Sequence, residues 1–271
     1  GISWENRYDV VHVFEDGNVT VYDEDATFSN CTFLINGNVT IVVEDATLNL
    51  TNVDIVLNGT AATPFYGANF PFIVNGTTGR LIVDNVVLVK HQPEDQLFEF
   101  TILAEDSAVI EGRNFDVLAE AGEDVFMCNE SSVVSILDSM WNDSNMRVYL
   151  EDYCCFEFNA SIVNVYGIMG MNDVEIVAKD STFSWVWIRD SSKLVANSSF
   201  FGELDVTGFN NVGELYNCTT FMLFTDGTGE ARAYGQSYAV YLMQYGTSNI
   251  TICENSTLLF MGIYDIRGDP H

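Results

Sequence analysis

Two four-residue phrases return at a fixed distance near the start of this chain. Residues 17–36 run GNVTVYDEDATFSNCTFLIN and residues 37–58 run GNVTIVVEDATLNLTNVDIVLN, so GNVT and EDAT both recur after 20 residues. Looser echoes follow as AEDSAV (104–109), NESSVV (129–134), LEDYCC (150–155), RDSSKL (189–194) and FNNVGEL (209–215). A period of this size means a solenoid: each repeat is too small to bury its own apolar side and must stack on its neighbours. The unit is a strand rather than a helix. Val19, Val21, Leu48, Leu50, Val53, Ile55 and Leu57 alternate with Asn, Thr and Asp, which is period two with one face in and one face out. No helical stripe with caps is present; the nearest approach, at 174–180, fails at Ser181 and Thr182.

Short strands, a rung near twenty residues and turns built from Asp, Asn, Gly and Ser predict an all-β fold, a parallel β-helix (β-solenoid). Dividing length by rung gives roughly 11–12 rungs of about 20–22 residues. An antiparallel β-sandwich would also supply short strands but does not explain the fixed return of GNVT and EDAT. The stretch 59–80, with Pro64 and Pro71, breaks the count and is expected to be a lateral loop; HQPEDQ at 91–96 is a smaller excursion. The chain thus divides into an N-terminal strand segment, 1–16, and a β-helix domain, 17–271.

Charge narrows the function. The chain has 39 acidic against 10 basic residues, a net charge of −29. Nucleic acid is excluded as a partner, because phosphate contacts need a basic face, and anionic lipid is disfavoured for the same reason. No run of 18 apolar residues exists, so no direct membrane span is expected. The acidic turns at Asp23, Asp25 and Asp45 sit at equivalent corners of consecutive rungs. Like charges stacked at strand spacing repel, and calcium would relieve that repulsion; a solvated corner is the alternative, and no EF-hand spacing is present.

Thirteen Asn-x-Ser/Thr sequons punctuate the chain, at Asn18, Asn30, Asn38, Asn49, Asn58, Asn75, Asn129, Asn142, Asn159, Asn197, Asn217, Asn249 and Asn255. They point to N-linked glycans and an extracellular, cell-surface location. In a strand the Asn and Thr of a sequon face out together and the middle residue faces in, which fits the apolar or cysteine residue in the middle of Asn18-Val-Thr20, Asn30-Cys-Thr32 and Asn217-Cys-Thr219. Six cysteines, Cys31, Cys128, Cys154, Cys155, Cys218 and Cys253, are an even number and candidates for disulfides or for small core residues. They lack CxxC spacing, which argues against zinc.

An active site is not expected. Carboxylates abound and bases are scarce; Asp173 with Glu175, or Glu111 with Arg113, are pairs that read best as surface residues. GQSYA at 235–239 misses the nucleophile elbow at its last position. His12, His91 and His271 lie far apart, so no triad is available. Trp141, Trp185 and Trp187 could form a sugar platform, Trp185 and Trp187 sharing one strand face.

The repeat GNVTIVVEDATLNLTNVDIVLN resembles those of right-handed parallel β-helix proteins on microbial surfaces. The sequon density on an acidic chain resembles archaeal cell-envelope proteins: surface-layer, sheath and extracellular filament subunits. The resemblance covers 17–258 as pattern and carries no functional residue. It implies a structural protein. A β-helix has two ends with unpaired backbone, and neither end of this chain offers an evident cap, so head-to-tail self-assembly into a homopolymer is expected. The contacts are expected in 1–16 and 249–266, at Trp4, Tyr8, Val10, Val11, Phe14, Leu259, Phe260, Ile263 and Tyr264. A surface adhesin or carbohydrate-binding protein using Trp185, Trp187 and 59–80 is the second reading, and a polysaccharide lyase or glycosidase the third.

Overall fold

The computed structural model describes residues 7–59, 71–91, 99–119, 122–253 and 256–265, the stretch 259–265 by its backbone alone. Every regular element among the described residues is a β-strand, and every pair of neighbouring strands is parallel. The chain winds a β-solenoid of about 11 turns. Each coil contributes to three sheets. Sheet one begins with Val10–Phe14 and continues through 31–35, 53–57, 86–89 and 115–118. Sheet two begins with Val19–Tyr22, Thr40–Glu44, Phe72–Asn75, Thr101–Ala104 and Val125–Cys128. Sheet three runs through 26–29, 47–51, 80–84, 109–113 and Val133–Leu137 to Asn249–Ile252. Coil length varies from 18 residues (Ser181 to Ser199) through 22 (Asn30 to Asn52) to 33 (Asn52 to Asn85).

One corner sets the phase of the whole stack. Between sheet three and sheet one the chain passes through a single left-handed residue in coil after coil: Asn30, Asn52, Asn85, Asn114, Asp138, Ala160, Asp180, Ser198, Asn217 and Gly235, all with φ between 46° and 63°. Asn and Asp are the side-chain-bearing residues that enter this region most readily. The N–H of Asp138, Ala160, Asp180 and Ser198 each donates to a carbonyl one coil on, at Asn159, Lys179, Asn197 and Tyr216. On the outside the first asparagines form a ladder, Asn85 donating to Asn52 at 2.6 Å and Asn52 to Asn30 at 3.1 Å. On the inside, in four consecutive coils, the residue after the corner is a buried serine: Ser139, Ser161, Ser181 and Ser199. The N–H groups of Phe115, Ser139, Ser161 and Ser181 donate to the hydroxyls of Ser139, Ser161, Ser181 and Ser199 at 2.9–3.2 Å. Each of those hydroxyls donates back to a carbonyl of its own coil. The sharp bend leaves an N–H pointing inward, and the serine ladder satisfies it where no water can reach.

The remaining interior is apolar. Trp141 is fully buried, with the rings of Phe115, Phe126, Phe156 and Phe158 at centroid distances of 5.1–6.2 Å. Its indole N–H donates to the Phe115 carbonyl at 3.2 Å. Phe183 and Phe201 continue the aromatic stack one coil apart, at 5.2 Å and 11° between planes.

The fold bears out the parallel β-helix and corrects its details. The 20-residue return of GNVT and EDAT is out of phase with the coils: Val19 pairs with Thr40 and Ala26 with Leu48. Val19 and Val21 therefore face outward, 65% and 48% exposed, while Leu48, Leu50, Val53, Ile55 and Leu57 are buried as expected. The later echoes mark a real corner, between sheets two and three, where Asp106, Ser107, Glu130, Ser131, Asp152, Tyr153, Asp190, Ser191 and Asn210 take positive φ. The segment 59–80 is not wholly a loop: Phe72–Asn75 is a sheet-two strand and Arg80 opens a sheet-three strand. Residues 60–70 and 92–98 lie outside the described residues, and both fall between a sheet-one strand and the sheet-two strand that follows.

Candidate functional site

Among the described residues the first and last strands of the stack are each paired on one side. Among the described residues Val10–Phe14 pairs only with Ala26–Asn36 and Val19–Tyr22 only with Thr40–Glu44. At the other end Asn249–Ile252 pairs only with Glu230–Tyr234 and Thr257–Asp265 only with Gln236–Gln244. Val10 continues the inward column of Cys31 yet is 54% exposed. Beside it His12, Phe14, Tyr22 and Phe28 floor the end over Phe33, with ring centroids 5.0–6.0 Å apart. Val11 and Val13 point to the side and are 40% and 50% exposed. Tyr8 is half-buried, and the arm that carries it is tied down: the Arg7 guanidinium forms a bidentate pair with the buried carboxylate of Asp54, two coils in. Phe260 and Ile263 stand in register with the buried Ala239 and Leu242, and Leu259 and Tyr264 with Tyr238 and Met243. Trp4 lies outside the described residues.

A second surface lies on the outside of sheet two. Trp185 and Trp187 share one face, as the alternation predicts, with ring centroids 6.1 Å apart and planes at 10°. Tyr166 meets Trp185 edge-on at 5.8 Å, the Arg189 guanidinium lies 5.0 Å over Trp187, and that of Arg147 lies 5.3 Å over Tyr166. Trp185 can lie flat only because Gly167 is beneath it; a Cβ there would come within 2.3 Å of the indole. Phe224 and Met243 extend the strip in register with Trp187. Asp205 sits within this strip and accepts the Trp185 indole N–H at 2.9 Å. Burial pushes its carboxyl up to about 6; the indole donor opposes this and Glu203 nearby adds to it. Gly167, Tyr166 and Asp205 escaped the sequence reading. The alternation in FSWVWI was the only signal, and it identified the tryptophans alone. Trp141, grouped with them in sequence, belongs to the core instead.

Raised above the ordinary carboxyl value, Asp205 holds its proton more tightly in the folded chain. The stability it contributes is present at low pH and lost as pH rises through about 6. Tryptophan emission is therefore expected to show an inflection near that pH, absent from Asp205→Asn. A wild-type titration that is flat within about one unit of 6 would refute the assignment.

The sequon asparagines lie on the surface. Asn18, Asn30, Asn38, Asn142, Asn197, Asn217 and Asn249 are exposed and Asn49, Asn58, Asn75, Asn129 and Asn159 half-buried; Asn255 lies outside the described residues. The expected orientation holds at Asn38, Asn49 and Asn217. It fails at Asn18, where the middle Val19 faces out, and at Asn30, where Thr32 is buried. The Asn58 amide is engaged as a donor to Asn36 at 3.1 Å. All six cysteines are free thiols; Cys31, Cys128, Cys154 and Cys218 are buried, and Cys128 and Cys154 touch in the core.

The acidic corners act as turn acceptors. Asp25 accepts the N–H of Thr47 at 2.8 Å, Asp45 that of Thr78 at 3.1 Å, and Asp23 is exposed. No group of three or more His, Cys, Asp or Glu side chains with metal-binding spacing occurs among the described residues. Glu111 is engaged by Arg80 at 2.6 Å rather than by Arg113, beside a shallow depression of about 410 Å³. Asp173 and Glu175 are both exposed, Asp173 at a left-handed corner. No helix among the described residues is long and apolar enough to cross a membrane. No protein-family model, curated protein or solved structure matches the chain.

Proposed function

We propose that this protein is a non-enzymatic structural subunit that self-assembles end to end into an extracellular filament, sheath or surface layer, with N-linked glycans and acidic side chains keeping its flanks soluble. The observation that carries this reading is that, among the described residues, the first and last strands each pair on one side only and the inward-facing Val10 is half exposed. An exposed parallel edge is a template for another strand. Joining two different ends is a heterologous contact, which propagates rather than closes.

The test uses two charges on the same coil. Val10→Glu would bury a carboxylate in the junction and is expected to abolish filaments seen by electron microscopy. Val21→Glu, which points sideways, is expected to leave them intact. Wild-type chain that stays monomeric by light scattering at high concentration would refute the reading.

The Trp185–Trp187 strip favours a second reading, binding of a polysaccharide. Sugar rings stack on such aromatic faces and hydrogen-bond to flanking charges such as Asp205 and Arg189. Retention on immobilised polysaccharide that is lost in Trp187→Ala, in a chain that forms no filaments, would favour it.

A further inference from the structure

Three ionisable side chains meet inside the solenoid where the fourth, fifth and sixth coils leave sheet one. Lys90 and Asp124 have side chains with no exposure, and Nζ lies 2.6 Å from Asp124 Oδ2. Asp143 is also fully buried, and its carboxyl acts on that of Asp124; its Oδ1 accepts the Asn145 N–H at 3.2 Å and its Oδ2 meets no donor among the described residues. The backbone N–H of Phe100 donates to Asp124 Oδ1 at 3.0 Å, and the Phe100 ring lies 5.8 Å from Nζ. Register explains the meeting. Val89, Leu118 and Asn142 stack in consecutive coils, so the next positions along are Lys90, Ala119 and Asp143. The small Ala119 between them leaves room for the lysine to cross the coil.

We propose that Lys90 and Asp124 are the partners of a self-formed isopeptide bond, with Asp143 as the proton carrier. A buried ammonium and a buried carboxylate are costly to keep charged, and a proton passing between them gives a neutral amine and a neutral acid. Burial holds the Asp124 carboxyl above its ordinary range, Lys90 opposing and Asp143 reinforcing the shift, so its neutral form is accessible. The amine nitrogen attacks Cγ. The Phe100 N–H stabilises the charge that develops on Oδ1, as an oxyanion donor does. Asp143 takes the proton released from nitrogen and returns it to the departing Oδ2 hydroxyl, and one water leaves. The product is a neutral secondary amide whose oxygen keeps the Phe100 hydrogen bond. No oxidant, metal or co-substrate is required, and Asp143 ends as it began. The link would tie one coil to the next across residues 91–123, so it would clamp the part of the stack where coil length is most irregular.

The experiment is a tryptic map of the denatured full-length wild-type chain. Linkage predicts that peptide 81–113, uncleaved at Lys90, is joined to peptide 114–147 and that the pair is lighter than its parts by one water. A free 81–90 peptide ending in Lys90, with no joined species, would overturn the proposal. Asp143→Asn is expected to fold, by circular dichroism, and to yield free 81–90. Full linkage in that variant would overturn the role given to Asp143. Lys90→Met supplies the unlinked reference for migration and mass.

Discussion

Replacing Trp141 by alanine is expected to cost roughly 3–5 kcal/mol of stability, the range for removing a fully buried large aromatic. The indole fills the space between Phe115, Phe126, Phe156 and Phe158, so two neighbouring coils lose contacts at once. The Phe115 carbonyl also loses its donor, which adds the penalty of an unpaired buried acceptor. In a solenoid each coil touches only its neighbours, and the damage should be local. Amide exchange is expected to speed up first across residues 115–158 and to remain slow near 200–216. Uniform acceleration along the whole chain, or a loss below about 1 kcal/mol by urea titration, would contradict the central placement of this side chain.

Ser161→Ala should cost about 1–3 kcal/mol, more than its small volume change implies. The Ser161 hydroxyl accepts the Ser139 N–H at 3.2 Å, a buried bond, and donates to the Asn159 carbonyl at 2.9 Å. Alanine leaves both groups without that partner. The chain contains its own control: Cys218 occupies the equivalent position several coils on and donates to the Tyr216 carbonyl at 3.4 Å. Ser161→Cys is therefore expected to keep the bonding pattern in weaker form and to recover part of the loss. If alanine and cysteine proved equally stable by denaturant titration, the ladder would be a geometric coincidence rather than a support.

The sequence revealed the architecture more readily than the phase. Alternation in Leu48–Leu57 and the density of turn residues were enough for a β-solenoid, because strand period and rung length are properties of local sequence. The first repeat misled in detail. GNVT and EDAT match as letters after 20 residues, whereas the coils pair after 21 and then 22, and a shift of one residue turns Val19 and Val21 from inside to outside. The stronger phase signal was the recurring Asn or Asp at 30, 52, 85, 114, 138 and 180, each the left-handed corner of its coil. It was hidden by unequal spacing, since coil length changes from 33 to 18 residues along the stack. The meeting of Lys90, Asp124 and Asp143, and of Trp185 with Asp205, depends on which residues overlie one another. That is a tertiary property, and no local pattern encodes it.

The constancy of one bend has a practical meaning. The two breaks in the count, 60–70 and 92–98, each fall in sequence between a sheet-one strand and the sheet-two strand that follows, whereas the bend through Asn52, Asn85 and Asn114 joins sheet three to sheet one. Added length thereby falls in one connection, on one flank of the coil, while the Asn bend keeps time for the stack. Foreign peptides spliced into that flank, in several coils at once, would be displayed in a single row with a pitch of about 4.8 Å, the distance between paired strands. A repeat protein that accepts cargo along one seam without losing count would serve as a molecular ruler.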